Sequence, residues 1–382
     1  MKRLLLLVSG FMALGIIATA LADTPPVSHD ASFSKEGLFK ADVSTLTDTQ
    51  IVAHPDVPLD PTKNVLWCGT LQLAWNKAID LVGEKLHFAR QQLVIVDLLN
   101  QEDFAGTDLD ADSYVALADF ERNNVEDEIR AALDKTFHGA ASPELIPPKP
   151  AHPGPDDFVA YAYLYKNLSF PLPFEENEYP LQFGDKSVEN FGFTDNREKL
   201  PAAVFAQVSI YDYQSSDDFI IKLKTKSPDD ELILAKITPG ATLDATIAAV
   251  LQRMTPDKRE TALERDVLAI PKLNFDLRKD FSELEGLVLQ PSPNAKIKNN
   301  LVLSEVKQLV RFQLNEKGAI LKSEAVIAEV GAAAPENPPK FHLMIFDKPF
   351  LILMKRANSA HPYFALWVGN PSLLVPAQPS SP

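Results

Sequence analysis

Residues 304–318 read SEVKQLVRFQLNEKG, residues 319–339 read AILKSEAVIAEVGAAAPENPP, and residues 341–374 read FHLMIFDKPFLILMKRANSAHPYFALWVGNPSLL. In the first stretch Val306, Leu309 and Val310 lead into Phe312 and Leu314, which alternate with Arg311 and Gln313 and stop at Gly318. Alternation followed by a glycine predicts a half-buried strand and a break. The second stretch carries no helical stripe and ends in prolines, so it reads as a long exposed segment. The third holds three dense β runs, around Phe341–Phe346, Phe350–Lys355 and Tyr363–Val368, with turn residues between them. Those are core strands.

This order of strand, Asn-Glu-x-Gly, long loop, strand, x-Lys-Pro-Phe, strand, turn, strand and Asn-Pro resembles the carboxyl-terminal third of the serpins. The residues that carry the resemblance are Asn315, Glu316 and Gly318, then Phe346, Lys348, Pro349, Phe350 and Leu351, then Phe364, Val368, Asn370 and Pro371.

At the amino end, Lys2 and Arg3 precede an uncharged apolar run, Leu4–Leu21, closed by Ala20-Leu21-Ala22 before Asp23. A positive start, an apolar run and a small-x-small site predict a signal peptide over 1–22. The expected localisation is secreted and extracellular, or periplasmic in a bacterium. Removal of that segment takes away two basic residues, leaving 35 against 52 acidic ones and a net charge of about −17. A surface so acidic disfavours nucleic acid and anionic membrane as partners. Cys68 is the single cysteine and is read as a free thiol, so no internal disulfide framework is available. None of the 15 glycines forms a phosphate-cradling pattern. No cofactor and no metal is expected.

Residues 23–63 are rich in Pro, Asp, Thr and Ser and read as an extended lead-in. At Asn64 the character changes to a short apolar strand and then a helix, with Leu71, Ala74, Trp75, Ala78, Ile79 and Val82 on one stripe. Cys68 has two readings. As a thiol at a helix amino terminus it matches the nucleophile of a cysteine hydrolase with His361 as its base; as a small buried thiol it is a packing residue. The second is preferred, because no peptidase signature surrounds His361. The stretch also resembles the serpin segment in which an Asn opens a strand and a Ser starts the central helix, with Cys68 standing where that shutter Ser is placed.

Between Glu84 and Asp156 the resemblance lapses. Asp108, Asp110 and Asp112 alternate as in half of an EF-hand loop, but Ser113 stands where Gly is needed and Asp119 where the bidentate Glu belongs. The better reading is acidic residues opening a helix that carries Tyr114, Leu117 and Ala118, then Val125, Ile129 and Leu133. Six prolines over 143–155 predict a stiff strap. Residues 158–165 then alternate two apolar or aromatic faces, as in a central strand covered on both sides. This strand is similar to the serpin strand that leads into a Pro-Phe motif, here Pro173-Phe174. An antiparallel meander over 201–240, an amphipathic helix N-capped by Thr242, and an Ile270-Pro271-Lys272 strand followed by an Asp-rich helix complete the chain.

The fold expected is α+β and serpin-like: large mixed and antiparallel sheets with helices packed on them and an exposed reactive loop. The organisation expected is a single domain over 64–375, with an abbreviated helical half and a disordered tail at 376–382. What the resemblance implies is inhibition of a serine or cysteine protease by a bait loop at about 318–340, which inserts into the main sheet after cleavage; no catalytic residue of the chain's own is required. Its hinge would be Glu316, Gly318, Ala319, Leu321 and Lys322. Its bait would be Gly331, Ala332, Ala333 and Ala334, suited to an elastase-like protease, and its shutter Asn64, Cys68 and Gln308. Leu321 and Lys322 depart from the small hinge residues of inhibitory serpins, and Gln308 replaces the usual shutter His. A non-inhibitory serpin-like binding or structural protein is therefore the alternative.

Overall fold

The computed structural model describes residues 37–89, 93–139, 141, 143–194, 197–321 and 341–378. The segment 1–22 expected to be a signal peptide, Lys322 and the expected bait residues Gly331, Ala332, Ala333 and Ala334 lie outside them. No helix among the described residues is long and apolar enough to cross a membrane.

Along the chain, β1 (Phe39–Asp42), β2 (Thr49–Ile51) and β3 (Asn64–Cys68) lead into α1 (Thr70–Val82) and α2 (Val94–Leu99). Next come β4 (Tyr114–Phe120), α3 (Val125–Phe137), β5 (Phe158–Leu164) and β6 (Lys166–Ser169). Four short strands follow, β7 (Glu175–Glu176), β8 (Leu181–Phe183), β9 (Lys186–Val188) and β10 (Asn190–Phe193), then α4 (Ala202–Phe205). The meander is β11 (Val208–Ser215), β12 (Asp218–Leu223) and β13 (Asp230–Lys236), followed by α5 (Leu243–Arg253) and β14 (Glu260–Thr261). The remainder is β15 (Val267–Pro271), β16 (Leu273–Asp280), β17 (Val288–Leu289), β18 (Leu301–Val302), β19 (Lys307–Asn315), β20 (Gly318–Leu321), β21 (Leu343–Ile345), β22 (Phe350–Arg356) and β23 (Pro362–Val368).

Three sheets organise these strands. The main sheet runs β1-β16-β19-β20-β6, an eight-stranded sheet runs β14-β11-β12-β13-β22-β23-β3-β2, and a four-stranded sheet runs β21-β15-β10-β7. The hairpin partner of β5 is β4, in register from Tyr114 opposite Leu164 to Phe120 opposite Phe158. One apolar cluster draws on α1, on β22 and β23, and on Phe275 and Phe312 of the main sheet, so both halves of the chain share a core. A second lies under α3, where Val125, Ile129, Leu133 and Phe137 meet Val115 and Tyr161.

Four expectations are corrected. Tyr114–Phe120 is a strand, not the first part of a helix: Tyr114, Ala116 and Phe120 pack on the main cluster while Val115 and Leu117 pack under α3. Both faces are needed, which only an alternating backbone provides. Asp119 then ends the strand by accepting from Phe120 N at 2.8 Å and from Asn123. The Asp-rich segment after Pro271 likewise stays extended as β16, because Phe275 and Leu277 enter the core while Asp276 meets Arg311 across the sheet. In the meander, the first turn of the run, Ala202–Phe205, is helical rather than extended. Finally, the lead-in 23–63 is part of the fold from Phe39 onward: β1 pairs parallel with β16 and β2 parallel with β3, so one segment closes an edge of both large sheets. At the other end the described tail is also held, with Ala377 N donating to Ser187 O at 3.0 Å.

Candidate functional site: a hinge strand above an open slot

Asn315, Glu316, Lys317 and Gly318 form the tight turn between β19 and β20. Asn315 Oδ1 accepts from Lys317 N at 2.9 Å, an Asx turn, and Phe170 N and Phe174 N donate to the carbonyls of Lys317 and Glu316 at 2.9 and 2.8 Å. Gly318 has φ +149°, and a Cβ there would stand 2.6 Å from Ser169 Cα and 2.7 Å from Leu168 O. Only glycine fits so close to β6 with that backbone. Beyond it β20 runs between two neighbours, Leu314 and Leu168 flanking Ala319, and Lys166 standing opposite Leu321. Ala319 is fully buried. The predicted exposed segment therefore begins as a strand already seated in the main sheet.

Charge fixes the turn. Lys272, the Lys of the Ile-Pro-Lys strand, reaches Glu176 at 3.2 Å, Glu316 at 3.4 Å and Glu189 at 3.5 Å. Burial pushes the Glu316 carboxyl up, but a backbone hydrogen bond and the charges of Lys272 and Lys317 outweigh it and hold it below its ordinary value. At the far end of the hinge strand Lys166 is buried between Asp230, at 2.9 Å, and Asp110; Asp230 in turn accepts from Tyr363 Oη at 3.0 Å and Ser227 Oγ at 2.7 Å.

Below Leu321 the sheet opens. Among the described residues β19 pairs with β20 only at 313–315, so 307–312 have no partner on that side, and β5 has β4 on one side only. Between these two edges lies a slot of about 780 Å³. Its banks are Phe158–Tyr165 and Val306–Arg311, its floor is Cys68, Leu71, Ala74 and Trp75 of the α1 region, and the strap residues Leu145, Pro147 and Pro148 line its front. The open edge explains why β5, expected to be covered on both faces, is mostly half-buried.

Two of the three shutter residues meet. Gln308 Nε2 donates to Cys68 O at 2.9 Å and to Thr70 Oγ1 at 2.8 Å, and Thr70 Oγ1 faces Cys68 Sγ at 3.9 Å, so β19 is clipped to the start of α1. Thr70 had not been singled out in the sequence; its position at the helix start was the available signal. Asn64 lies at the other end of β3, where its amide accepts from Gly369 N at 3.0 Å and donates to Asn370 Oδ1 and Ser372 Oγ. It ties β3 to the chain after β23 and takes no part in the slot.

Cys68 and His361 form no dyad. Cys68 is buried, which pushes its thiol above the ordinary value, and no hydrogen bond joins it to His361, which sits on an exposed turn with its N–H on Ser359 Oγ. Asp108 and Asp110 are taken by Ser359 and by Lys166 and Arg356. Among the described residues no group of three His, Cys, Asp or Glu side chains is arranged to hold a metal ion.

No family model and no curated protein matches the sequence. Solved structures do. A serpin from Schistosoma mansoni is 12% identical, with TM-score 0.44 over 80% of this chain and 95% of that one. A tumour-suppressing serpin is 13% identical, with TM-score 0.48 over 81% and 94%, and human thyroxine-binding globulin, complexed with thyroxine, is 13% identical, with TM-score 0.43 over 81% and 93%. These structures are what the chain is similar to; its own elements make it an α+β protein of mixed and antiparallel sheets with helices packed on them.

Proposed function

We propose that the chain is a secreted protease inhibitor whose bait loop, cut by its target, continues the seating that β20 has begun. The observation that carries this reading is the position of β20 directly above a slot whose two strand edges are unpaired among the described residues. Six residues of β19, 307–312, have no partner there among the described residues, which corresponds to about 20 Å of extended chain. A strand placed between them gains two ladders of backbone hydrogen bonds and covers the apolar floor. That gain is the stored free energy by which a protease still joined to the loop would be carried away and held.

Incubation with an elastase-like protease tests the reading, because Gly331–Ala334 suits a shallow primary pocket. The expected result is a covalent complex that survives denaturant on a gel, and a cut chain that melts at higher temperature than the intact one. Clean cleavage with neither outcome overturns inhibition.

A second reading, a non-inhibitory binding or structural protein, is favoured by one specific feature. Extending the register of β20, in which Ile320 stands opposite Gln313 and Leu321 opposite Lys166, would bring Lys322 opposite Arg311. Like charges directly across a ladder oppose pairing, so filling of the slot would be slow.

A further inference from the structure

The strap over the slot is tied across it. Strap residues 143–150 leave α3, which packs on β4 and β5, yet Glu144 reaches the opposite bank and pairs with the Arg311 guanidinium on β19. Arg311 is itself held by Asp276 of β16 at 2.8 Å, and Asp276 is almost fully buried. Lys40 of β1 completes the group, 3.1 Å from Asp276 and 3.8 Å from Glu144. At its other end the strap is fixed by Lys149, bonded to Asn124 at the start of α3, while Ile146 packs on the α3 cluster. Proline at 143, 147, 148 and 150 keeps this span extended and limits how far it can bend aside.

We propose that the Glu144–Arg311 pair is a latch that holds the strap across the front of the slot and sets how often the slot opens. Arg311 is the fixed half, because the buried Asp276 keeps it in place whether or not Glu144 is bound. Glu144 is the moving half, exposed and carried on a segment with no strand or helix of its own. Releasing it leaves Arg311 paired and the core untouched, so the latch can open without unfolding. Its consequence for loop seating rests on the proposed function; the latch itself does not.

Cys68 provides a readout that needs no protease. It is the chain's single cysteine, it is buried, and it lines the same slot behind the strap. In the full chain, a small thiol reagent should label Cys68 about two- to fivefold faster in Glu144→Gln, the range set by one exposed ion pair, with the urea midpoint unchanged. Added sodium chloride should speed labelling of the original chain and leave the variant unaffected, because the latch is an exposed pair open to screening. Equal labelling rates in the two chains, a faster rate matched by lost global stability, or a salt response that persists in Glu144→Gln would each overturn the latch. Labelling that follows the latch in a protein that traps no protease would leave the latch standing and remove the inhibitor reading, and the reverse pattern would do the opposite.

Discussion

Replacing Gly318 with alanine sets a local strain against a local strand. The new Cβ meets backbone atoms of β6 at 2.6 and 2.7 Å, and neither Ser169 Cα nor Leu168 O can turn away as a side chain would. Crowding of that kind costs about 1–3 kcal/mol, and the φ of +149° at a non-glycine residue adds about 1–3 kcal/mol more. What resists is the seating of β20: three register pairs to β19, four to β6, and the burial of Ala319. At about 0.5–1.5 kcal/mol net for each ladder hydrogen bond, the seating is worth a similar amount. The chain should therefore escape the strain by releasing β20 rather than by unfolding. Amide exchange separates the two outcomes. With about 2–4 kcal/mol removed locally, protection at Ala319 and Ile320 should fall roughly 30- to 1000-fold, while the amides of β22 and β23 change little and the melting temperature drops by only a few degrees. Unchanged protection at 319 and 320, or a uniform loss across the core, would refute the reasoning.

The buried pair at the lower end of β20 should be costlier to break: Lys166→Ala leaves Asp230 buried beside Tyr363 and should lose about 3–5 kcal/mol in urea unfolding, against a much smaller loss for a surface control such as Lys77→Ala. The hinge should also respond to acid. The Glu316 carboxyl sits below its ordinary value of 4.5 in the fold, so its contribution is fully present above that value and fades as pH falls through the lower folded value; Lys272, held above 10.5, contributes below that pH and loses its contribution only in strong alkali. Exchange protection of β20 should be flat through neutrality and decline below pH 4.5, and Lys272→Met should flatten the acid limb. Cys68→Ser should fold and lose only modest stability by denaturant titration; loss of an activity with that change would point back to the thiol chemistry. Finally, Leu321→Ala combined with Lys322→Ala should raise the fraction of protease trapped over the fraction that merely cuts, read as the ratio of complex to cleaved chain; an unchanged ratio would remove the hinge departures as the reason for slow seating.

The parts of this fold that read clearly are those where burial of one strand face is written locally. Lys307–Asn315, Phe350–Arg356 and Pro362–Val368 alternate or run apolar without interruption, and the stripe from Leu71 to Val82 has no other use than a core. The Thr242 cap is legible for the same reason, since its hydroxyl accepts from Ala245 N three residues on. Where the reading failed, the deciding partner was distant. Tyr114–Phe120 carries apolar residues at spacings that suit a helix or a strand, and the pairing with β5, whose partners lie 38 to 50 residues later, decides between them. Phe39–Asp42 has too little apolar content to announce a strand, yet β16 offers it an edge.

The slot was the least legible feature, because it consists of a pairing that is not made among the described residues. Lys307–Asn315 reads as a half-buried strand and Phe158–Leu164 as a central one, and nothing local distinguishes a strand with two neighbours from one with a single neighbour. The sign that something was unusual lay in the hinge: Gly318 is required by its contact with β6, whereas the Leu and Lys that follow at 321 and 322 are larger than quick seating favours. On the inhibitory reading, a glycine that permits the first step beside side chains that oppose the next would slow further seating. The turn charges on Lys272 and the clip from Gln308 to Thr70 hold the two ends of β19 while its middle stays open. On the inhibitory reading proposed above, the partly filled sheet would be a resting state and cleavage of the loop would release it.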